Sequence, residues 1–158
     1  MKKKKEFYLC PKPCRKSDDI DSDFKNIIFE LKNKFKDVNI YIFAETFEIS
    51  EWCKKEKINF TVNNFFSNKY KKIPCVKKIF SIINQRSSLF DYQIYINSDL
   101  RLGDEFIQLL DFAETLDDNF FISGCRLNVD KKENGELIPS SFQHWGTDYF
   151  IFSLPINI

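Results

Sequence analysis

Apolar residues along this chain recur in two rhythms: short runs of strand-forming residues, and longer stretches with apolar positions three and four apart. Residues 7–10 read as a strand, ended at once by Pro11 and Pro13, which cannot donate to a ladder. After a polar, turn-rich loop, Phe24, Ile27, Ile28, Leu31 and Phe35 fall at helical spacing, with Asp21, Ser22 or Asp23 available as cap. The nearly continuous apolar run 38–44 predicts a strand buried on both faces, followed by a short helix over 48–57 carrying Trp52 and a weaker strand over 58–62. A polar loop closes at Pro74, and Val76, Ile79, Phe80 and Ile83 predict a helix over 76–87. That helix feeds the stretch YQIYINSDLRL, residues 92–102, whose first half is a buried strand. Phe106, Leu109, Leu110 and Ala113 form one stripe of a helix over 104–116, with Asp104 as its cap. The remainder reads as a single strand over 119–129, a turn-rich excursion around Gly135 over 131–141, and a final strand over 149–153.

Strands alternating with helices imply an α/β fold with a mostly parallel sheet and helices on its faces. At 158 residues, with no repeats and no internal linker, the chain makes one domain. It stops just after an apolar strand, as either a minimal domain or the first part of a longer one.

Composition adds exclusions. A hydrophobic content of 43% with 30% charged residues is globular, and a formal net charge of +1 argues against a general nucleic-acid binder, which carries a basic excess. Lys2 to Lys5 are either a solvated terminus or a tether to a membrane surface or polyanion. No apolar run suits a transmembrane segment or a signal peptide, so the expected location is cytoplasmic, with the cytosolic face of a membrane as the variant. The odd cysteine count, five, suggests reduced thiols, and Cys10 and Cys14 lack a second pair to complete a zinc site.

The candidate chemistry begins where the strand over 92–97 leaves the core and delivers Asn97, Ser98 and Asp99. A carboxylate at the carboxyl edge of an open α/β sheet is well placed to meet a ligand or a cation. Mg²⁺ and Mn²⁺ prefer hard oxygen ligands and share carboxylates with phosphate oxygens, so Asp99 is the metal candidate. The competing reading is a turn or helix-capping aspartate. Gly124 and Arg126 form a second group, in which Arg126 offers a forked contact to a phosphate or a sugar hydroxyl, or pairs internally with an aspartate. In HWGTDYFIF, Gly146 and Thr147 present Asp148 before a strand, where it can accept sugar hydroxyls or act as a general base. Trp145 offers a face to a sugar ring or belongs to the core, and His144 reads as a hydrogen-bonding surface residue ahead of a catalytic one.

In this order YINSDLRL, FFISGCRLNVD and HWGTDYFIF, spread over residues 74–153, resemble nucleotide-diphospho-sugar transferases of the GT-A fold, with their N-A/S-D, G-x-R and G-x-D-Y-F segments. The resemblance implies a Rossmann-like three-layer α/β/α domain that takes a nucleotide-diphosphate sugar donor and transfers its sugar to a glycan or other hydroxyl acceptor. It further implies Mn²⁺ or Mg²⁺ at Asp99, with Asn97 and Ser98 beside it, Arg126 in the donor pocket, and Asp148 near donor sugar and acceptor as the catalytic base. Two features depart from the family pattern. Asn97 stands where the D-x-D motif has its first acid, and the chain ends five residues after Ser153, short of an acceptor-binding part. A non-catalytic or truncated domain that binds nucleotide or a protein partner is therefore the alternative, and a doubly wound interaction module is the third reading.

Overall fold

The computed structural model describes residues 3–11, 22–66, 74–142, 147–153 and 155. Along the chain these form β1 (Lys5–Cys10), α1 (Ser22–Lys34), β2 (Asn39–Ala44), α2 (Phe47–Lys55), β3 (Asn59–Val62), α3 (Val76–Arg86), β4 (Tyr92–Asn97), α4 (Asp104–Thr115), β5 (Phe121–Gly124), β6 (Leu127–Lys131), β7 (Leu137–Phe142) and β8 (Tyr149–Phe152). Six strands make one mixed sheet in the order β3-β2-β1-β4-β8-β5, while β6 and β7 form a separate antiparallel ribbon. Within the sheet β3, β2, β1 and β4 are mutually parallel, and β8 alone runs against its neighbours β4 and β5. The architecture is thus α/β with a mostly parallel sheet and, among the described residues, four helices. None of these is long and apolar enough to cross a membrane.

Strand alternation divides the core into two layers. Phe7 and Leu9 of β1, Ile40 and Ile42 of β2, Tyr92, Ile94 and Ile96 of β4 and Ile151 of β8 pack against Phe24, Ile27, Ile28 and Leu31 of α1, Ile49 and Cys53 of α2, and Leu110 and Ala113 of α4. The intervening residues Tyr8, Cys10, Phe43, Tyr95 and Phe152 face the other way, onto Ile79, Phe80 and Ile83 of α3 and onto Phe65 and Phe66. Because successive side chains point to opposite faces, an apolar run buried on both sides needs helices on both sides, and this sheet has them.

β1 begins at Lys5, two residues before the apolar run, because its charges are matched. Glu6 is fully buried and accepts from Arg86 Nη2 at 2.7 Å, Arg86 Nε at 2.9 Å and the Tyr8 hydroxyl at 2.6 Å. The Arg86 guanidinium lies 4.2 Å from the centre of the Tyr41 ring, and its hydrogen bonds to Glu6 hold its pKa above the ordinary value. Burial, together with the bond to Glu6, pushes the Tyr8 hydroxyl up as well. Of the lysine run, Lys2 lies outside the described residues, Lys3 donates to the Leu116 carbonyl and Lys5 pairs with Glu114 at 2.6 Å.

Three expectations need correction. The stretch 119–129 is two strands rather than one, because Gly124 packs against Tyr149 so closely that a Cβ would overlap the tyrosine ring and hydroxyl, and the chain then turns at Cys125 and Arg126. The excursion over 131–141 contains half of a hairpin. Its turn is closed by Lys132 N donating to Glu136 O at 2.9 Å, with Gly135 at φ 84°, a left-handed conformation that suits a residue without Cβ. Pro139 sits in β7 because a two-stranded ribbon is all edge. Finally, α4 is capped by Gly103 in extended backbone, and Asp104 lies in the first helical turn, where its charge suits the helix dipole.

Candidate functional site

β1 and β4 are adjacent and parallel, yet the chain builds outward from β1 to β3 before returning to β4 on the opposite side. Strand order therefore reverses between them, and a crevice opens beyond their carboxyl ends, the usual ligand position in such sheets. β4 ends at Asn97, and Ser98 and Asp99 make the turn that follows. Ser98 is buried, whereas Asp99 is exposed at the edge.

The reversed strand β8 starts where its parallel neighbours end, so the residue before it, Asp148, arrives at the same edge. Asp148 is 4% exposed. Its Oδ2 accepts the Arg126 backbone N–H at 2.8 Å, and its Oδ1 accepts Arg126 Nη1 at 3.0 Å and Asn97 Nδ2 at 3.0 Å. Backbone bonds reinforce the junction: Asn97 N donates to Asp148 O and Asp148 N to Gly124 O, both at 2.9 Å. Arg126 Nε continues to Asn128 Oδ1 at 3.0 Å, and Asn128 Nδ2 to Ser141 Oγ at 3.1 Å, which ties the β6–β7 ribbon to the sheet. The internal aspartate partner of Arg126 is thus Asp148, and the arginine side chain keeps 37% exposure.

Beside this network lies a cavity of about 660 Å³, lined by α1, the segment after β4, the start of α4 and the ribbon. Asp99 and Arg126 both line it. Asn97, Arg126 and Asp148 are therefore joined by hydrogen bonds, and Asp99 shares a cavity with Arg126. Among the charged lining residues are four carboxylates, Asp23, Glu30, Asp99 and Glu105, against two guanidiniums, Arg101 and Arg126. His144, Trp145, Gly146 and Cys14 lie outside the described residues.

One residue at this edge carried no motif. Glu45 follows β2, half-buried, and its Oε2 is enclosed with no hydrogen-bond partner among the described residues. Burial raises its pKa and Lys78 partly counteracts this. Its charge, second to burial, raises the Cys10 thiol, and Cys10 and Asp99 in turn add to the burial that raises the Tyr95 hydroxyl. An acid directly after the second apolar run was the available signal, and only the strand order gives it significance.

The donor set tests the fit of a cation. Among the described residues no three His, Cys, Asp or Glu side chains converge as a metal-binding group. Asp99 supplies one carboxylate, and Asn97, whose amide nitrogen bonds Asp148, has only its amide oxygen to offer. Such a set suits Mg²⁺ or Mn²⁺ held chiefly by phosphate oxygens and water, since these ions commonly take one or two protein carboxylates.

No protein-family model matches this chain, and no curated protein matches it in sequence.

Proposed function

We propose that this chain is a glycosyltransferase domain of the GT-A type, transferring a sugar from a nucleotide-diphosphate sugar to an acceptor hydroxyl with Mn²⁺ or Mg²⁺. The observation that carries the proposal is the shared cavity: Asp99 and Arg126, 27 residues apart in sequence, meet one space at the carboxyl edge of the sheet, beside the reversal of strand order. In this reading Asp99, with the Asn97 amide oxygen and Ser98 beside it, holds the cation and diphosphate. Arg126 contacts a phosphate or a donor hydroxyl. Glu45 suits a ribose hydroxyl, because an acid after the second strand of such folds commonly accepts one. The cation, when bound, neutralises charge on the departing diphosphate. It has a second use here, since four carboxylates against two guanidiniums would otherwise repel a diphosphate. A cytoplasmic setting, or the cytosolic face of a membrane, fits a nucleotide-sugar donor.

Titration calorimetry with UDP- and GDP-sugars tests the reading. One donor should give saturable heat in Mn²⁺, weakened at least about tenfold, or about 1.4 kcal/mol, in Asp99→Ala. Equal heats for parent and variant would remove Asp99 from the site, and no heat with any donor would end the proposal.

The environment of Asp148 favours one second reading, a domain that binds donor without turning it over. Three hydrogen bonds already converge on its carboxylate, so taking a proton from an acceptor requires breaking at least one of them. Donor binding with neither transfer nor slow hydrolysis in a turnover assay selects this second reading.

A further inference from the structure

The cavity has a wall whose chemistry the diphosphate does not use. On the ribbon, Leu127, Val129 and Leu137 are 42%, 47% and 45% exposed, and all three line the cavity. Leu127 and Val129 are alternate residues of β6, and Leu137 comes from β7, so both strands turn apolar side chains toward the same space. The same cavity is lined by Ile27 of α1 and by Phe106 and Leu109 of α4. Two-stranded ribbons do not bury a face of their own, and large apolar side chains left at nearly half exposure around a cavity mark a binding surface. The volume, about 660 Å³, is in the range that encloses a small organic molecule.

We infer that this wall is an acceptor subsite for an amphipathic alcohol or glycoside, whose apolar body lies between the ribbon and α1/α4 while its hydroxyl end reaches toward Asp99 and Arg126. The inference rests on the transferase reading and narrows its acceptor. Charge sets the class. The cavity that holds the apolar wall is lined by four carboxylates, Asp23, Glu30, Asp99 and Glu105, against Arg101 and Arg126, and Arg126 is already paired with Asp148, so an anionic acceptor meets repulsion that a neutral one does not. Transfer to this ligand balances simply: the acceptor oxygen forms the new glycosidic bond, the anomeric carbon–phosphate bond breaks, the nucleoside diphosphate leaves with the bonding pair, and the hydroxyl proton passes to a base or to solvent.

The probes are methyl, hexyl and octyl β-glucosides below their micellar concentrations, with octyl sulfate as the anionic counterpart, read by thermal melts and calorimetry. Octyl glucoside should raise the melting temperature and methyl glucoside should not. Affinity should climb with chain length by up to about fourfold per methylene, the factor for complete burial, and octyl sulfate should bind at least about tenfold more weakly than octyl glucoside. Val129→Gln and Leu137→Gln, both at half-exposed positions, should lose most of the octyl glucoside response. Phe121→Gln, an equally exposed apolar residue outside the cavity, should keep it. Equal responses to methyl and octyl glucoside, or to octyl sulfate and octyl glucoside, overturn the inference, as does a Phe121→Gln loss matching that of the ribbon variants. The donor titration run alongside separates the two failures. Donor heat without a chain-length effect refutes the acceptor subsite alone, whereas a chain-length effect without donor heat refutes the transferase reading on which it stands.

Discussion

Two arginine–carboxylate pairs sit at opposite ends of this sheet, and they are built differently. At the amino end Arg86 grips Glu6 through two nitrogens, Tyr8 donates a third bond, Tyr41 covers the guanidinium, and Glu6 has no exposure. At the carboxyl end Arg126 reaches Asp148 with one guanidinium nitrogen and its own backbone N–H, and its side chain, 37% exposed, borders a cavity. Each buried carboxylate accepts three hydrogen bonds, so neither is left uncompensated. The difference lies with the arginine. A guanidinium that gives two nitrogens to one carboxylate beside a tyrosine ring, with 24% of its side chain exposed, is committed to the fold, whereas one that gives a single nitrogen to its carboxylate and lines a cavity can hold the fold and meet a ligand.

Breaking the pairs one at a time sharpens that contrast. Arg86→Met should have the largest effect on stability, on the order of 3–5 kcal/mol by urea denaturation, because it strands a fully buried carboxylate. It should leave the donor and octyl glucoside affinities of the remaining folded protein unchanged. Asp148→Asn keeps the shape but removes the charge that holds Arg126, and should cost less, about 1–3 kcal/mol. Its informative readout is the pH–rate profile. A general base lost at Asp148 removes the acidic limb, while a positioning residue lowers the rate and leaves the limb in place. Glu45→Gln should have the smallest effect and the opposite sign. Burial raises the Glu45 pKa, so the native state favours the protonated form, and stability falls as pH rises from the unfolded value near about 4.3 through the folded one. The glutamine variant escapes that loss. Its melting temperature should exceed the parent's at pH 7–8 by on the order of 1–2 °C and converge with it below about pH 4.

The same contrast explains which parts could be read from the sequence. Alternating apolar runs and helical stripes located the four α-helices among the described residues and the described strands of the parallel half to within a few residues, because both faces of that half are packed and its pattern is strong. The first two residues of β1 escaped, since Lys5 and Glu6 look like loop residues until Glu114 and Arg86 are brought to them from far along the chain. The break between β5 and β6 depends on how Gly124 meets Tyr149, and the hairpin was obscured by Pro139 and a charged turn. At the site, the residues Asn97, Asp99, Arg126 and Asp148 were all legible as types. That Asp148 and Arg126 satisfy one another, and that Glu45 stands at the same edge, are facts of strand order, which one-dimensional periodicity does not contain.

The lone reversed strand has a consequence for how the molecule can vary. Because β8 enters the sheet at the rim that the parallel strands leave, the β6–β7 ribbon, inserted between β5 and β8, stands at that rim, anchored by the bonds from Asp148 to Gly124 and Arg126. Lengthening, shortening or repainting the ribbon then changes the roof of the chamber while the six-stranded floor keeps its register, so relatives of this chain should differ most in that span and least in the strands that flank it.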